Sequence, residues 1–233
     1  KILKKDGIEK RGKIKGIILD LRNNRGGLLK QAIKVANLFM TKGQIISTQG
    51  RHPRSNQNYK ADKFDLTKKT RMVVIMNGAT ASASEILAAA LQDNLRAIII
   101  GTTSYGKGTV QTIVKLPNSG EIALTWSRLK TPSGYYIENL GILPTICTRK
   151  GTKKIPISII MAAVKKVKTH TQNLDSWHKV NTRNKSERTQ LKAICPASRK
   201  TNPIDREVAE ELLLDRNLYN KAMKLNASLA VIK

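Results

Sequence analysis

Ser82 and Lys107 are the two side chains of this sequence whose surroundings suit chemistry. Ser82 lies in Ala79-Thr80-Ala81-Ser82-Ala83-Ser84-Glu85, after Asn77-Gly78 and ahead of an Ala/Leu-rich stretch that runs to about Asp93. Ser82 followed by Glu85 makes a capping box, in which the serine oxygen and the carboxylate satisfy free amides of the first helical turn. Capping is the commoner role for such a serine. A serine at a helix start also sits where amides and the helix dipole stabilise an oxyanion, and the small neighbours Ala79, Ala81 and Ala83 let a substrate backbone come close. Both roles fit the residues.

Lys107 stands between Gly106 and Gly108. Residues 101–107 (GTTSYGK) match the glycine and lysine spacing of a phosphate-binding loop, but Gly108 replaces the Ser or Thr that would hold magnesium. The following Thr109 to Val114 is strand-like, so no helix N-terminus faces a phosphate. Nucleotide binding is disfavoured. A turn with a solvated lysine is the plain account of this segment. The chemical account is a base for Ser82, because a neutral lysine amine takes a serine proton as imidazole does in other enzymes. That role requires the amine to be withdrawn from water. The histidines His52, His170 and His178 fall in polar or C-terminal stretches, outside any structured motif.

The elements that must position these residues follow from hydrophobic periodicity. Gly16 to Leu21 reads as a buried strand and Arg22 to Gly27 as a turn, and the apolar spacing from Leu28 to Met40 predicts a helix. Strands are predicted at Gln44 to Thr48, Met72 to Met76 and Arg96 to Ile100, with a polar loop from Gln49 to Thr70. Thr109 to Leu116 and Glu121 to Leu129 predict an antiparallel pair closed by Pro117-Asn118-Ser119-Gly120. Strands alternating with helices indicate an α/β layered fold. After Gly151 the pattern predicts a helix from Pro156 to Lys168, a polar stretch from Thr169 to Thr201, and helix from Asn202-Pro203 onward. This divides the chain into residues 1–150 and a helical appendage, 151–233.

The 233 residues are 40% hydrophobic and 25% charged, with no apolar run near the roughly 20 residues that span a bilayer. The sequence begins at Lys1 without Met and reads as an excerpt of a longer chain. The net charge is +27. Such a charge raises a second functional class, a basic nucleic-acid-binding protein. Against it, aromatic residues are 4%, the lysines are scattered over both parts, and no recognition motif occurs. Two cysteines, Cys147 and Cys195, are too few for a structural zinc site.

The segments GIILDLRNNRGGLL, NGATASASEILAAALQDNLRAIIIGTTSYGKGTVQTIVKL and TPSGYYIENLGILPTI, in that order, resemble the core of the C-terminal processing peptidases, also called tail-specific proteases. The resemblance covers about residues 10–148. It implies a crotonase-like layered β/α protease core with a C-terminal helical appendage, and a serine endopeptidase acting near protein C-termini without cofactor or metal. Ser82 is then the nucleophile, Lys107 the general base and Gln111 the residue that orients it, with the amides of Ala83 and of Gly26 or Gly27 as the oxyanion hole. A spacing of four along a strand would put Lys107 and Gln111 on one face. Glu85 and Asp93 match positions held by acids, for which structural roles are expected. Arg25 and Thr145 depart from the family's usual proline and acid, and the family's substrate-recognising PDZ domain is not in these residues. The implied partners are protein or peptide substrates, with no specific nucleic acid, in a bacterial cell envelope or periplasm. A catalytically silent scaffold of the same fold is the further alternative. In an oxidising envelope Cys147 and Cys195 could form one bridge; two unrelated buried thiols fit equally.

Overall fold

The computed structural model describes residues 14–62, 65–149 and 155–227. Its centre is a parallel sheet of β1 (Ile17–Asp20), β4 (Met72–Met76), β5 (Ile98–Gly101) and β8 (Ile146–Cys147), in the order β1-β4-β5-β8. β4 is apolar throughout because both its faces are covered. Met72, Val74 and Met76 join one core cluster, and Val73 and Ile75 join the other. The first face carries α1 (Leu29–Ala36) and α2 (Ala83–Asp93). α2 is buried along nearly its whole length, and its run of alanines lets its neighbours approach closely.

The second sheet is antiparallel, ordered β3-β2-β7-β6, from β2 (Gln44–Gln49), β3 (Gln57–Lys60), β6 (Thr109–Lys115) and β7 (Glu121–Lys130). The predicted hairpin is present, closed at the expected turn. The strand β3 lies in the predicted polar loop. Its sequence, Gln-Asn-Tyr-Lys, has no apolar alternation, and pairing with β2 is what makes it a strand. The first helix is shorter than its apolar spacing predicts, ending at Asn37.

Helices α3 (Pro156–Lys165), α4 (Val167–Lys179), α5 (Lys185–Lys192), α6 (Ile204–Leu214) and α7 (Arg216–Ala227) complete the fold. The predicted polar stretch 169–201 therefore contains most of α4 and all of α5. α4 buries only Leu174 and Trp177, and α5 buries no residue, so neither leaves a strong periodic signal. Val208, Ala209 and Leu212 of α6, with Leu218 and Ala222 of α7, cover Val73, Ile75, Ile98 and Ile100 on the sheet's second face. Fully burying a leucine or valine there contributes about 1.5–3 kcal/mol. The C-terminal helices thus complete the core of the parallel sheet.

Cys147 and Cys195 form a disulfide that closes a separation of 48 residues. Residues 195–199 then cross the C-terminal ends of β4 and β5 as a strap. The Thr103 hydroxyl donates to the Cys195 carbonyl at 2.5 Å, Gly78 N–H to the Ser198 carbonyl at 2.7 Å, and the Asn77 amide to the Arg199 carbonyl at 3.2 Å. Replacing both cysteines by serine is expected to lower the unfolding free energy by about 2–4 kcal/mol. Urea denaturation with and without reductant checks this. An unchanged midpoint would mean that the hydrogen bonds alone hold the strap.

Candidate active site

Three segments leave the C-terminal ends of neighbouring parallel strands, the place where open α/β sheets form their crevices. They are the turn after β1, the entry to α2 after β4, and residues 102–108 after β5. Hydrogen bonds join them directly. Ala81 N–H donates to the Asn24 carbonyl at 3.0 Å, the Thr80 hydroxyl to the Leu21 carbonyl at 2.8 Å, and Tyr105 N–H to the Thr80 carbonyl at 3.0 Å.

Ser82 occupies the N-cap of α2 with φ 57° and ψ −119°. An ordinary N-cap residue has extended backbone angles. A non-glycine residue held at such angles costs on the order of 1–3 kcal/mol, and such strain collects at functional sites. A sharp strand-to-helix turn of this kind lifts a nucleophilic serine out of its helix toward substrate. The glycine turn packs against it. A Cβ on Gly26, whose φ is +89°, would lie 2.5 Å from the Ala81 carbonyl and 2.7 Å from the Ala83 nitrogen. Of the two glycines proposed for the oxyanion hole, Gly26 has its N–H committed to the Asn24 side-chain oxygen at 2.9 Å. The Gly27 amide meets no acceptor among the described residues, which leaves Gly27 and Ala83 as the candidate pair.

Lys107 is held through its backbone. Gly106 has φ +91°, and a Cβ at Gly108 would lie 2.1 Å from the Glu138 nitrogen, so both glycines are required by close packing against residues 137–141. The apparent phosphate-loop spacing is explained by this packing, and the chain passes from it into β6. The Lys107 side chain is exposed, so the withdrawal from water that its role requires is absent in the free chain. Gln111 is exposed on β6, and Lys107 precedes that strand, so strand alternation does not by itself pair them.

Glu85 joins the two candidates. One carboxylate oxygen accepts both the Ser82 N–H at 2.8 Å and the Lys107 N–H at 2.9 Å. The other accepts the Ser104 hydroxyl at 2.5 Å and the Gly106 N–H at 2.6 Å. Burial pushes this carboxyl above its usual value, against the lowering by its four donors. The capping box was the visible half of this arrangement; the contacts to residues 104–107 are not a local pattern. Asn77 is a residue that the sequence did not single out. Its side-chain oxygen accepts the Asn23 N–H at 3.0 Å and so fixes the glycine turn.

The histidines serve elsewhere. His52 stacks on Trp126, and His178 on Tyr135. Burial pushes His170 and His178 down to about 4. None of the three has a hydrogen bond to Ser82 among the described residues.

With this geometry, the comparison with known proteins is informative. Residues 5–148 match the Peptidase family S41, and the chain belongs to that family. A carboxy-terminal-processing protease of Bartonella bacilliformis is 52% identical over 134 residues, covering 58% of this chain and 31% of that protein. The carboxy-terminal processing protease CtpA of Bacillus subtilis is 44% identical over 142 residues, covering 60% and 30%. Among solved structures, a photosystem II D1 C-terminal processing protease aligns with a TM-score of 0.51 and 38% identity, covering 55% of this chain and 33% of its own. The chain thus spans about a third of the length of these relatives. The family assignment and the α/β protease fold agree with the reading of the motifs.

Two predictions follow from the acids of α2. Glu85→Ala leaves the buried Gly106 N–H and Ser104 hydroxyl and the part-buried N–H groups of Ser82 and Lys107 without their acceptor, at about 1–3 kcal/mol for each buried group. The loss of stability is expected to exceed about 3 kcal/mol, beyond the roughly 0.5–2 of a missing cap; a loss within the range of a cap, read by urea unfolding, refutes the bridging role. Asp93, at the other end of α2, accepts the Ser133 N–H at 2.9 Å and hydroxyl at 2.7 Å, and burial pushes its carboxyl up to about 6. A carboxyl raised above its unfolded value of about 3.9 binds its proton more tightly when folded, so stability falls as pH rises from about 4 to about 6. This contribution is on the order of 3 kcal/mol and is read as the difference between the pH profiles of the parent and of Asp93→Asn, because His170 and His178, pushed down to about 4, contribute a rise over the same range. Unfolding free energies measured from pH 4 to 7 in both proteins decide it.

Proposed function

We propose that this chain carries the catalytic centre of a serine endopeptidase that cleaves proteins near their C-termini, with residues 1–150 as the catalytic core and 151–233 as its helical completion. The observation that carries the reading is the strained Ser82 at the start of α2, whose amide shares one Glu85 oxygen with the amide of Lys107. Ser82 Oγ attacks the substrate carbonyl as Lys107 Nζ takes its proton. The amides of Gly27 and Ala83 receive the developing oxyanion, and Lys107 returns the proton to the leaving amine. Water then hydrolyses the acyl-enzyme, with Lys107 again as base. Gln111 orients the lysine.

The exposure of Lys107 assigns a further role to substrate. A peptide lying over the site covers the amine and removes water from it, which favours the neutral form needed by a base. The processing proteases among the relatives support protein substrates engaged through their C-termini, and a bacterial cell-envelope location is part of the same proposed reading. Among the described residues, no helix is long and apolar enough to cross a membrane.

Ser82→Ala is expected to lower peptidase activity by at least about a thousandfold with a stability change of no more than about 2 kcal/mol. Lys107→Arg should be as inactive as Lys107→Ala, because a guanidinium stays protonated, and Gln111→Ala should retain partial activity. The full-length protein is assayed on a C-terminally tagged substrate, with a serine-reactive probe mapped by mass spectrometry. Labelling at a residue other than Ser82, or substantial activity in Lys107→Arg, overturns the assignment. Intact substrate with no labelled serine would support the silent scaffold.

A further inference from the structure

A cavity of about 440 Å³ lies at the other end of the parallel sheet, where β4 begins, away from the strand ends that carry Ser82 and Lys107. This size falls within the range of small-molecule sites. Lys42, Lys69, Arg71 and Arg96 line it against a single acid, Asp65. Asp65 is already engaged. It pairs with Arg96 at 3.3 Å and accepts the Thr67 hydroxyl and the Lys69 N–H. Arg96 is also fixed by the Phe39 carbonyl at 2.8 Å and the Thr67 hydroxyl at 2.6 Å.

That leaves Lys42, Lys69 and Arg71 without an ion-pair partner among the described residues. Arg71 is the telling one. Its Nη1 is buried and has no hydrogen-bond partner among the described residues, an uncommon condition for a charged group, and its guanidinium lies 6.0 Å from the Tyr219 ring. The walls that bring these cations together are conformationally constrained. Lys68 and Lys69 are consecutive residues at φ 49° and 60°, and Leu95 stands at φ 55°. Tyr219 and Met223 of α7 supply an apolar wall. Tyr219 is itself locked to β4, its hydroxyl exchanging hydrogen bonds with the backbone of Met72 at 3.1 Å.

We propose that this cavity is a binding site for a phosphate group, carried by a small soluble molecule or by a lipid headgroup. Three uncompensated cations suit an anion of more than one charge, and the guanidinium fork pairs with phosphate oxygens through parallel hydrogen bonds. The apolar wall leaves room for the organic body of a phosphate ester. Because the cavity sits where β4 starts and α7 docks, occupancy would brace the strand that leads to Ser82.

The test uses inorganic pyrophosphate as the soluble probe, titrated calorimetrically into the purified protein, and phosphatidylglycerol vesicles as the lipid probe, with phosphatidylcholine vesicles as blank. Saturable binding of one pyrophosphate per chain is expected. Lys42→Gln with Lys69→Gln, both exposed positions, should weaken it by about tenfold or more, and Arg71→Gln likewise. A control pair at exposed lysines elsewhere, Lys115→Gln with Lys185→Gln, should leave it unchanged. Vesicle binding that pyrophosphate displaces assigns the phosphate to a lipid; pyrophosphate binding without vesicle binding assigns it to a soluble ester. The proposal fails if pyrophosphate does not saturate a single site, if the cavity pair behaves like the control pair, or if a short acidic peptide binds at least as tightly.

Discussion

The carboxylate of Glu85 is the contact on which the arrangement of the site depends. Buried beneath the start of α2, it accepts hydrogen bonds from four donors on two chain segments. A carboxyl group out of water is costly unless its lone pairs are met, and here three of the four donors that meet them are the amides of Ser82, Gly106 and Lys107. Ser82 and Lys107 are therefore positioned by one carboxyl group through their backbones. Movement of either loop alone would leave this buried carboxyl short of donors, which ties the positions of the two loops to each other.

The same economy explains how strain at Ser82 is held. The unfavourable backbone angles are tolerated because neighbouring bonds over-determine them: Asn24 receives Ala81, Glu85 receives Ser82, and Gly26 fits against the elbow only for lack of a side chain. The C-terminal helices take part from behind. Arg22, at the root of the glycine turn, pairs with Asp205 of α6 and donates to the Asn202 carbonyl, while the strap after Cys195 secures the ends of β4 and β5. Residues beyond the S41 match thus hold each of the three loops of the site.

Charge divides along the fold in a similar way. Most of the described lysines and arginines lie on solvated surface, where a lysine has little effect on its neighbours. Two places depart from this. One is the turn between Gly106 and Gly108, where Lys107 is exposed while its amide shares a Glu85 oxygen with the amide of Ser82. The other is the cavity under β4, where, among the described residues, four cationic side chains face one acid. Net charge alone suggested a polyanion partner; local geometry distinguishes a candidate base from a candidate anion site.

Local pattern was sufficient for much of this protein. The apolar runs marked β1, β4 and β5, alternation marked the β6–β7 hairpin, and residue identity marked Ser82 with its glutamate and Lys107 with its glycines. Each of these signals operates over a few residues, on the scale of helical or strand periodicity. The rest required distant partners. β3 and β8 are strands only because β2 and β5 pair with them, α5 buries nothing of its own, and the choice between Gly26 and Gly27 turns on one asparagine side chain. The second bond set of Glu85, the Cys147–Cys195 bridge and the exposure of Lys107 likewise follow from how separate segments meet. Amino-acid types set which groups are available and which short elements form; the sheet topology decides which of those groups come within hydrogen-bond distance, because that depends on chain crossings that no local spacing encodes.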